Sequence, residues 1–199
     1  MKSEEVISQL SAVIGSDSVI TDSNEREYFS MDVFDINEVA DLVIQPSSKD
    51  QVSSALKILS KFDYQIIPRG GGMSYTGGYT PSTKRSAIID TSLLNQIIEI
   101  NHDDMYITVE AGCTWKTIYE ELKPLGLRLP FFGTNSGSMA TVGGGLSNGA
   151  LFFGTGKYGS AADNVLGMEV IIADGTLIKT GQNAFADAQP HHRTYGPDT

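Results

Sequence analysis

The run Pro68-Arg69-Gly70-Gly71-Gly72-Met73-Ser74-Tyr75-Thr76-Gly77-Gly78 places five glycines in the nine positions 70–78. It follows the short apolar run Gln65-Ile66-Ile67. Glycine accepts positive φ and lets backbone approach a ligand closely. Successive free N–H groups in such a turn form a concave anion site. The expectation is a loop that holds phosphate oxygens without lysines. The competing reading is a mobile surface loop. The Pro-Arg lead-in, the closing Ser74 and a second glycine-rich run downstream favour the phosphate loop.

Charge limits the partners. The 199 residues carry a formal net charge of −10, which argues against nucleic acid and anionic membranes. A phosphate ligand would therefore depend on backbone dipoles and one or two local cations. A composition 40% hydrophobic and 19% charged is that of a soluble globular chain. Cys113 is the single cysteine, so no intrachain disulfide forms, and it reads as a buried reduced thiol. The N-terminus, Met1-Lys2-Ser3-Glu4-Glu5-Val6, is acidic and lacks an apolar signal core. No run approaches the ~18 apolar residues of a membrane span. The expectation is a cytoplasmic protein.

Along the chain, Val6, Ile7, Leu10, Val13 and Ile14 predict one face of a helix over 3–14, stopped by Gly15. Residues 16–40 are polar and read as an irregular surface arm. Leu42-Val43-Ile44 reads as a strand ended by Pro46. Ser48 and Gln51 form a capping-box pattern for a helix over 49–61, with Val52, Ala55, Leu56 and Leu59 inward. Gln65-Ile66-Ile67 then closes a β-α-β unit with parallel strands, and the glycine loop lies at the C-terminal end of its second strand.

Ala87-Ile88-Ile89-Asp90 reads as a third strand. Ile97-Ile98-Glu99-Ile100 and Tyr106-Ile107-Thr108-Val109-Glu110 read as a hairpin with His102 in its turn. A helix follows over 115–125, ended by Gly126. Residues 130–181 carry 12 of the 21 glycines, interleaved with apolar residues. There glycine is expected to let backbone lie against a flat ligand or another strand. Asp174-Gly175 centres a second hairpin between Met168-Glu169-Val170-Ile171-Ile172 and Leu177-Ile178-Lys179. Residues 182–199 read as loop. His191 and His192 are adjacent but have no further partner, so no metal site is assigned.

The sequence Gly154-Thr155-Gly156-Lys157-Tyr158-Gly159 matches a dinucleotide fingerprint formally, but no buried parallel strand leads into it. Two glycine-rich loops some seventy residues apart remain. Together they suit one elongated ligand, with pyrophosphate at the first and a flat ring along the second. Residue chemistry alone thus points to a dinucleotide or flavin.

Five segments resemble one known family. Pro68-Arg69-Gly70-Gly71-Gly72-Met73-Ser74 with Gly77 resembles the pyrophosphate loop of the PCMH-type FAD-binding domain of the vanillyl-alcohol oxidase and p-cresol methylhydroxylase superfamily. Val109-Glu110-Ala111-Gly112, Ala140-Thr141-Val142-Gly143-Gly144, the stretch from Lys157-Tyr158-Gly159 to Asp163-Asn164-Val165-Leu166-Gly167, and Glu169-Val170 with Ala173-Asp174-Gly175 resemble its other motifs, in order and at family spacing. The nearest branch is that of D-lactate dehydrogenase and glycolate oxidase flavoproteins. The resemblance implies an α+β fold: a small parallel β-α-β subdomain (about 40–105) beside a larger mixed or antiparallel sheet (106–181). These lie within an FAD-binding domain over 40–199, preceded by a helix and arm over 1–39.

The resemblance also implies roles. Backbone at Arg69, Gly70, Gly71, Gly72, Met73 and Ser74 would bind the pyrophosphate, with Pro68 and Gly77 also among the cofactor-binding residues. Ser138, Thr141, Gly143, Gly144 and Asn148 would lie along the ribityl chain and flavin. Gly159, Asp163 and Val165 would border the phosphates and adenosine, and Ile171 would offer backbone to adenine. Met73 and Met139 stand where relatives with covalently attached flavin carry histidine or cysteine, so the implied FAD is non-covalent. The chain ends before the family's substrate domain, so no catalytic residue is assigned. A partner subunit or a further domain is expected to supply it.

The implied activity is hydride removal from a carbinol carbon to FAD, with a small-molecule 2-hydroxy acid as substrate and an unspecified electron acceptor. A phenolic-alcohol oxidase, a nucleotide-sugar reductase and a non-catalytic FAD-binding module remain alternatives.

Overall fold

The computed structural model of the protein describes residues 2–34, 37–130, 134 and 136–181. Helix α1 (Lys2–Ile14) stops at Gly15, whose φ of +90° breaks helical geometry. Val6, Leu10 and Ile14 form its buried stripe, while Val13, expected inside, is exposed.

The irregular arm over 16–40 is not what the structure shows. Val19–Ile20 form β1, antiparallel to the next strand. Ser23–Ser30 form helix α2, started by the Asp22 carboxylate, which accepts the N–H groups of Asn24 (2.9 Å) and Glu25 (3.1 Å). The helix is polar enough to hide in the sequence because little of it is buried. The Ser30 hydroxyl donates to the Arg26 carbonyl (2.6 Å) and accepts from the Ala40 N–H (2.9 Å). Arg26 in turn donates to the Ala40 carbonyl (2.8 Å), which ties α2 to the start of the next strand.

Strand β2 (Leu42–Ile44), helix α3 (Lys49–Lys61), strand β3 (Gln65–Arg69) and strand β4 (Ser86–Asp90) complete a four-stranded sheet of order β1-β2-β4-β3. The Ser48 hydroxyl caps α3 through the Gln51 N–H (3.2 Å). The Gln51 amide reaches back to the Ser47 N–H (2.8 Å), one residue earlier than a capping box requires. Strands β2 and β3 are parallel as expected, but β4 lies between them, pairing Val43↔Ile88 and Ile67↔Ile88. Pro68 and Arg69 belong to β3 rather than to the loop. As the edge strand, β3 tolerates a proline without an N–H.

Period-two alternation divides the sheet's side chains. Leu42, Ile44, Ala87 and Ile89 pack under α1 and α3. Val43, Ile67 and Ile88 face the other way, against Ala40, Tyr79 and Phe29. Both faces are covered, as parallel strands require.

The antiparallel part comprises two hairpins among the described residues. Strands β5 (Ile97–Asn101) and β6 (Tyr106–Val109) pair with exposed His102 in their turn. Helix α4 (Trp115–Leu122) starts at the Thr114 hydroxyl, which accepts the Thr117 N–H (3.1 Å), and its chain turns away at Gly126, φ +69°. Trp115, Ile118, Leu122 and Cys113 form a core with residues of the β5–β6 hairpin. Burial pushes the Cys113 thiol up, which suits an inert sulfur.

Two short helices follow, α5 (Val142–Ser147) and α6 (Thr155–Tyr158), where loops were expected. Strands β7 (Gly167–Ile171) and β8 (Leu177–Gly181) form the second hairpin. Its turn is closed by Gly175 N–H to the Ile172 carbonyl (2.8 Å), with Gly175 at φ +82°. This hairpin sits on α3: Ser53 donates to the Gly175 carbonyl (2.5 Å) and Lys49 pairs with Glu169 (2.9 Å).

If α2 is an integral element, Asp22→Ala removes its cap and lowers unfolding free energy by about 1 kcal/mol. An unstructured arm would leave the urea midpoint unchanged.

Candidate functional site

The β3–β4 register sets Arg69 opposite Asp90. Both are buried, at 7% and 2% exposure. Arg69 Nη1 lies 3.6 Å from Asp90 Oδ1. Asp90 Oδ2 accepts from Gln45 Nε2 (2.8 Å) and the Ser92 hydroxyl (2.5 Å). The guanidinium carbon stands 4.9 Å from the ring centre of Phe29, 5.5 Å from Tyr79 and 5.6 Å from Tyr28. A buried cation is thus met by a paired carboxylate and by aromatic faces, which offset its desolvation. Arg69 Nε has no hydrogen-bond partner among the described residues.

The expectation for Arg69 concerned its backbone; its side chain turns into the fold beneath Gly72. A Cβ on Gly72 would collide with the guanidinium. The Arg69 carbonyl is taken by the Thr91 N–H (3.0 Å) and hydroxyl (3.2 Å), and exposed Pro68 sits within the strand.

The loop itself keeps its donors. Residues 70–74 are half-buried, and Gly72 has φ +67°. Among the described residues, the N–H groups of Gly71, Gly72, Met73 and Ser74 make no hydrogen bond. The loop's far end is held instead. The Ser74 carbonyl accepts the Val33 N–H (3.1 Å), and the Gly77 N–H donates to the Asp32 carboxylate (2.8 Å). The Ser74 hydroxyl is paired with the Thr76 hydroxyl (2.9 Å). Asp32 escaped the sequence reading. It lies in the supposed arm, and its signal, an acid also accepting the Phe34 N–H (2.7 Å), is that of an Asx turn.

The two glycine-rich stretches do meet, but through unexpected atoms. A Cβ on Gly70 would strike the Thr141 hydroxyl, and one on Gly71 would strike the Met139 carbonyl. Residues 139–141 are fixed from behind. Trp115 N–H donates to the Ala140 carbonyl (3.2 Å), Val142 N–H to the Cys113 carbonyl (2.9 Å) and Gly143 N–H to the Ala111 carbonyl (2.8 Å). Thr141 is buried, and its hydroxyl accepts the Gly144 N–H (3.2 Å) to cap α5.

Two glycines of α5 make close packing contacts. Gly143 lies on Ala111, and Gly145 lies under the Trp115 and Phe152 rings.

The remaining implied residues are placed as follows. Ser138 and Asn148 are exposed, at a turn and at the C-terminal cap of α5. Gly159, φ +81°, turns over Asp163, whose carboxylate accepts the Ser160 hydroxyl (2.8 Å) and N–H (2.7 Å). Those hydrogen bonds hold Asp163 below the usual carboxylate range. The Val165 N–H is used by the Ala162 carbonyl (3.1 Å). Ile171 pairs with Leu177 and packs against the core under α3. The contacts unite Gly70, Gly71, Met139, Thr141, Gly143 and Gly144, whereas Gly159 and Asp163 form their own turn. His191 and His192 lie outside the described residues. No helix among the described residues is long and apolar enough to cross a membrane.

A half-buried turn with four consecutive N–H groups uncommitted is a donor set suited to pyrophosphate oxygens. It lies at the C-terminal end of a parallel strand, where ligands bind in such sheets. In a chain of net charge −10, oriented backbone dipoles rather than a surrounding positive field supply the attraction. The residues present fit the pyrophosphate half of a flavin dinucleotide.

Gly71→Ala forces a methyl into the Met139 carbonyl and is expected to cost about 1–3 kcal/mol by overpacking. Gly77→Ala meets only the Thr80 hydroxyl at 3.6 Å but keeps φ +72°. Left-handed strain then costs it about 1–2 kcal/mol. Denaturant unfolding of the two variants, with near-ultraviolet dichroism to follow the junction, separates the causes: only Gly71→Ala should perturb the surroundings of Trp115.

Comparison with known proteins agrees with this geometry. The family described as FAD binding domain matches residues 40–181. The mitochondrial D-lactate dehydrogenase (cytochrome) of Kluyveromyces lactis is 32% identical over 161 residues, covering 80% of this chain and 27% of that protein. Glycolate oxidase subunit GlcD of Bacillus subtilis is 29% identical over 197 residues, covering 98% of this chain and 41% of that one. The chain thus spans well under half the length of these relatives. The structure of p-cresol methylhydroxylase with substrate bound superposes with a TM-score of 0.85 at 20% identity, covering 98% of this chain and 39% of that one. The fold is therefore the α+β, PCMH-type fold. The chain belongs to the FAD-binding domain family, and its cofactor is FAD.

Proposed function

We propose that this chain is the flavin-binding portion of an oxidoreductase that takes hydride from the carbinol carbon of a 2-hydroxy acid such as D-lactate or glycolate. The observation that carries the reading is the row of uncommitted N–H groups at residues 71–74, seated at the end of β3 inside the region that matches the family. The names of the relatives supply the substrate class. FAD supplies the hydride acceptor when bound.

This chain's share is to bind and orient. The N–H groups of residues 71–74 hold the pyrophosphate, and Thr141 and Gly144 hold the strand–helix junction beside it. No base for the substrate hydroxyl proton and no clamp for its carboxylate are assigned among the described residues. The FAD-binding domain is read as residues 40–199, with subdomains of about 40–105 and 106–181, preceded by residues 1–39.

Attachment is read as non-covalent, since Met73 and Met139 offer thioethers where relatives with linked flavin carry histidine or cysteine. The test is a visible absorption spectrum before and after acid precipitation. Flavin colour released to the supernatant supports the reading, and colour retained in the pellet refutes non-covalent attachment. A folded, colourless chain that stays colourless with added FAD refutes the binding role. Gly71→Val is expected to abolish flavin retention; near-normal affinity would remove the loop from the site.

A further inference from the structure

We propose that Arg69 is a positioning residue for the cofactor. Its buried guanidinium is the floor that holds residues 70–74 in the shape that aims their N–H groups at the pyrophosphate. The inference rests on the FAD reading above and extends it to a side chain that does not itself reach the phosphates.

Three observations carry it. The guanidinium occupies the space a side chain on Gly72 would fill, so it lies directly against the residue whose φ of +67° turns the loop. Its Nη1 also reaches the Gly70 carbonyl at 3.5 Å, two residues before that turn. And it is held from every other side: by Asp90 at 3.6 Å and by Phe29, Tyr28 and Tyr79.

Burial to 7% exposure with Nε unpartnered is an expensive arrangement for a residue whose only task is packing. An apolar side chain would fill the same box at less cost. What an apolar chain lacks is a rigid, planar fork that contacts the Asp90 carboxylate, the Gly70 carbonyl and the Gly72 backbone together.

The box is built partly from outside the matched region, because Tyr28 and Phe29 belong to α2. The cofactor site therefore extends to a helix that precedes the domain's matched residues.

The test separates positioning from stability. In Arg69→Met with Asp90→Asn the buried ion pair becomes two neutral near-isosteres, an exchange that proteins commonly tolerate. The amide that replaces the Asp90 carboxylate can still partner Gln45 and Ser92. Unfolding midpoints and FAD affinity are measured by denaturant titration and by equilibrium binding of FAD to the apoprotein. The expected result is a folded double variant that binds FAD about tenfold more weakly, the equivalent of one charge-assisted hydrogen bond.

Arg69→Lys is the second variant. It keeps the charge and the pairing with Asp90 but not the fork, and it too should lose affinity while staying folded. Unchanged affinity in either folded variant overturns the proposal. An unmodified chain that binds no FAD overturns the functional reading and the proposal together, so the two failures are distinct.

Discussion

The contact between Arg69 and Asp90 is the constraint around which the site is arranged. A single register between two parallel strands puts a cation and a carboxylate opposite each other at the last pair of the ladder. Each would be costly to bury alone. Together, with Gln45 and Ser92 completing the carboxylate and three rings facing the guanidinium, they end the sheet in a polar knot. The glycine loop departs directly above it. The parallel sheet, the aromatic residues of α2 and the loop are thus parts of one structure.

Around that knot the chain omits side chains so that backbones can touch. Gly70 and Gly71 admit residues 139–141, Gly112 admits the Thr91 and Leu94 carbonyls, and Gly143 admits Ala111. Each contact closes a path from β3 through β4 to α5 and back to the loop. A glycine-rich stretch is flexible as an isolated peptide. Here its freedom is reduced by close neighbours, and the positive-φ turns at Gly72 and Gly77 are flanked by Arg69 below and Asp32 beyond. If the loop takes the pyrophosphate as proposed, its restrained backbone lowers the ordering cost of binding.

Much of this was legible in the chain. Alternating and continuous apolar runs marked β2, β4 and both hairpins, because strand periodicity is a local property. Ser48 and Thr114 marked helix starts for the same reason. Helix α2 was not legible, because its polar residues carry almost no apolar period and its stability comes from Asp22 at one end and Arg26 and Ser30 docking on Ala40. The packing of Gly143 and Gly145 was not legible for a related reason: glycine signals that something lies close, but the sequence does not say that Ala111 and the rings of Trp115 and Phe152 do.

By itself the sequence determined that two glycine-rich stretches exist, that the first follows a strand, and that their motifs are those of an FAD-binding domain. These are matters of residue type and spacing. Only the tertiary structure decided which way Arg69 faces. That depends on Asp90 across the ladder and on Phe29, far earlier in the chain, and a side chain's direction is set by what surrounds it rather than by its neighbours in sequence. For the same reason only the structure showed that Asp32 latches the loop and that residues 139–141, not the glycines after them, meet it.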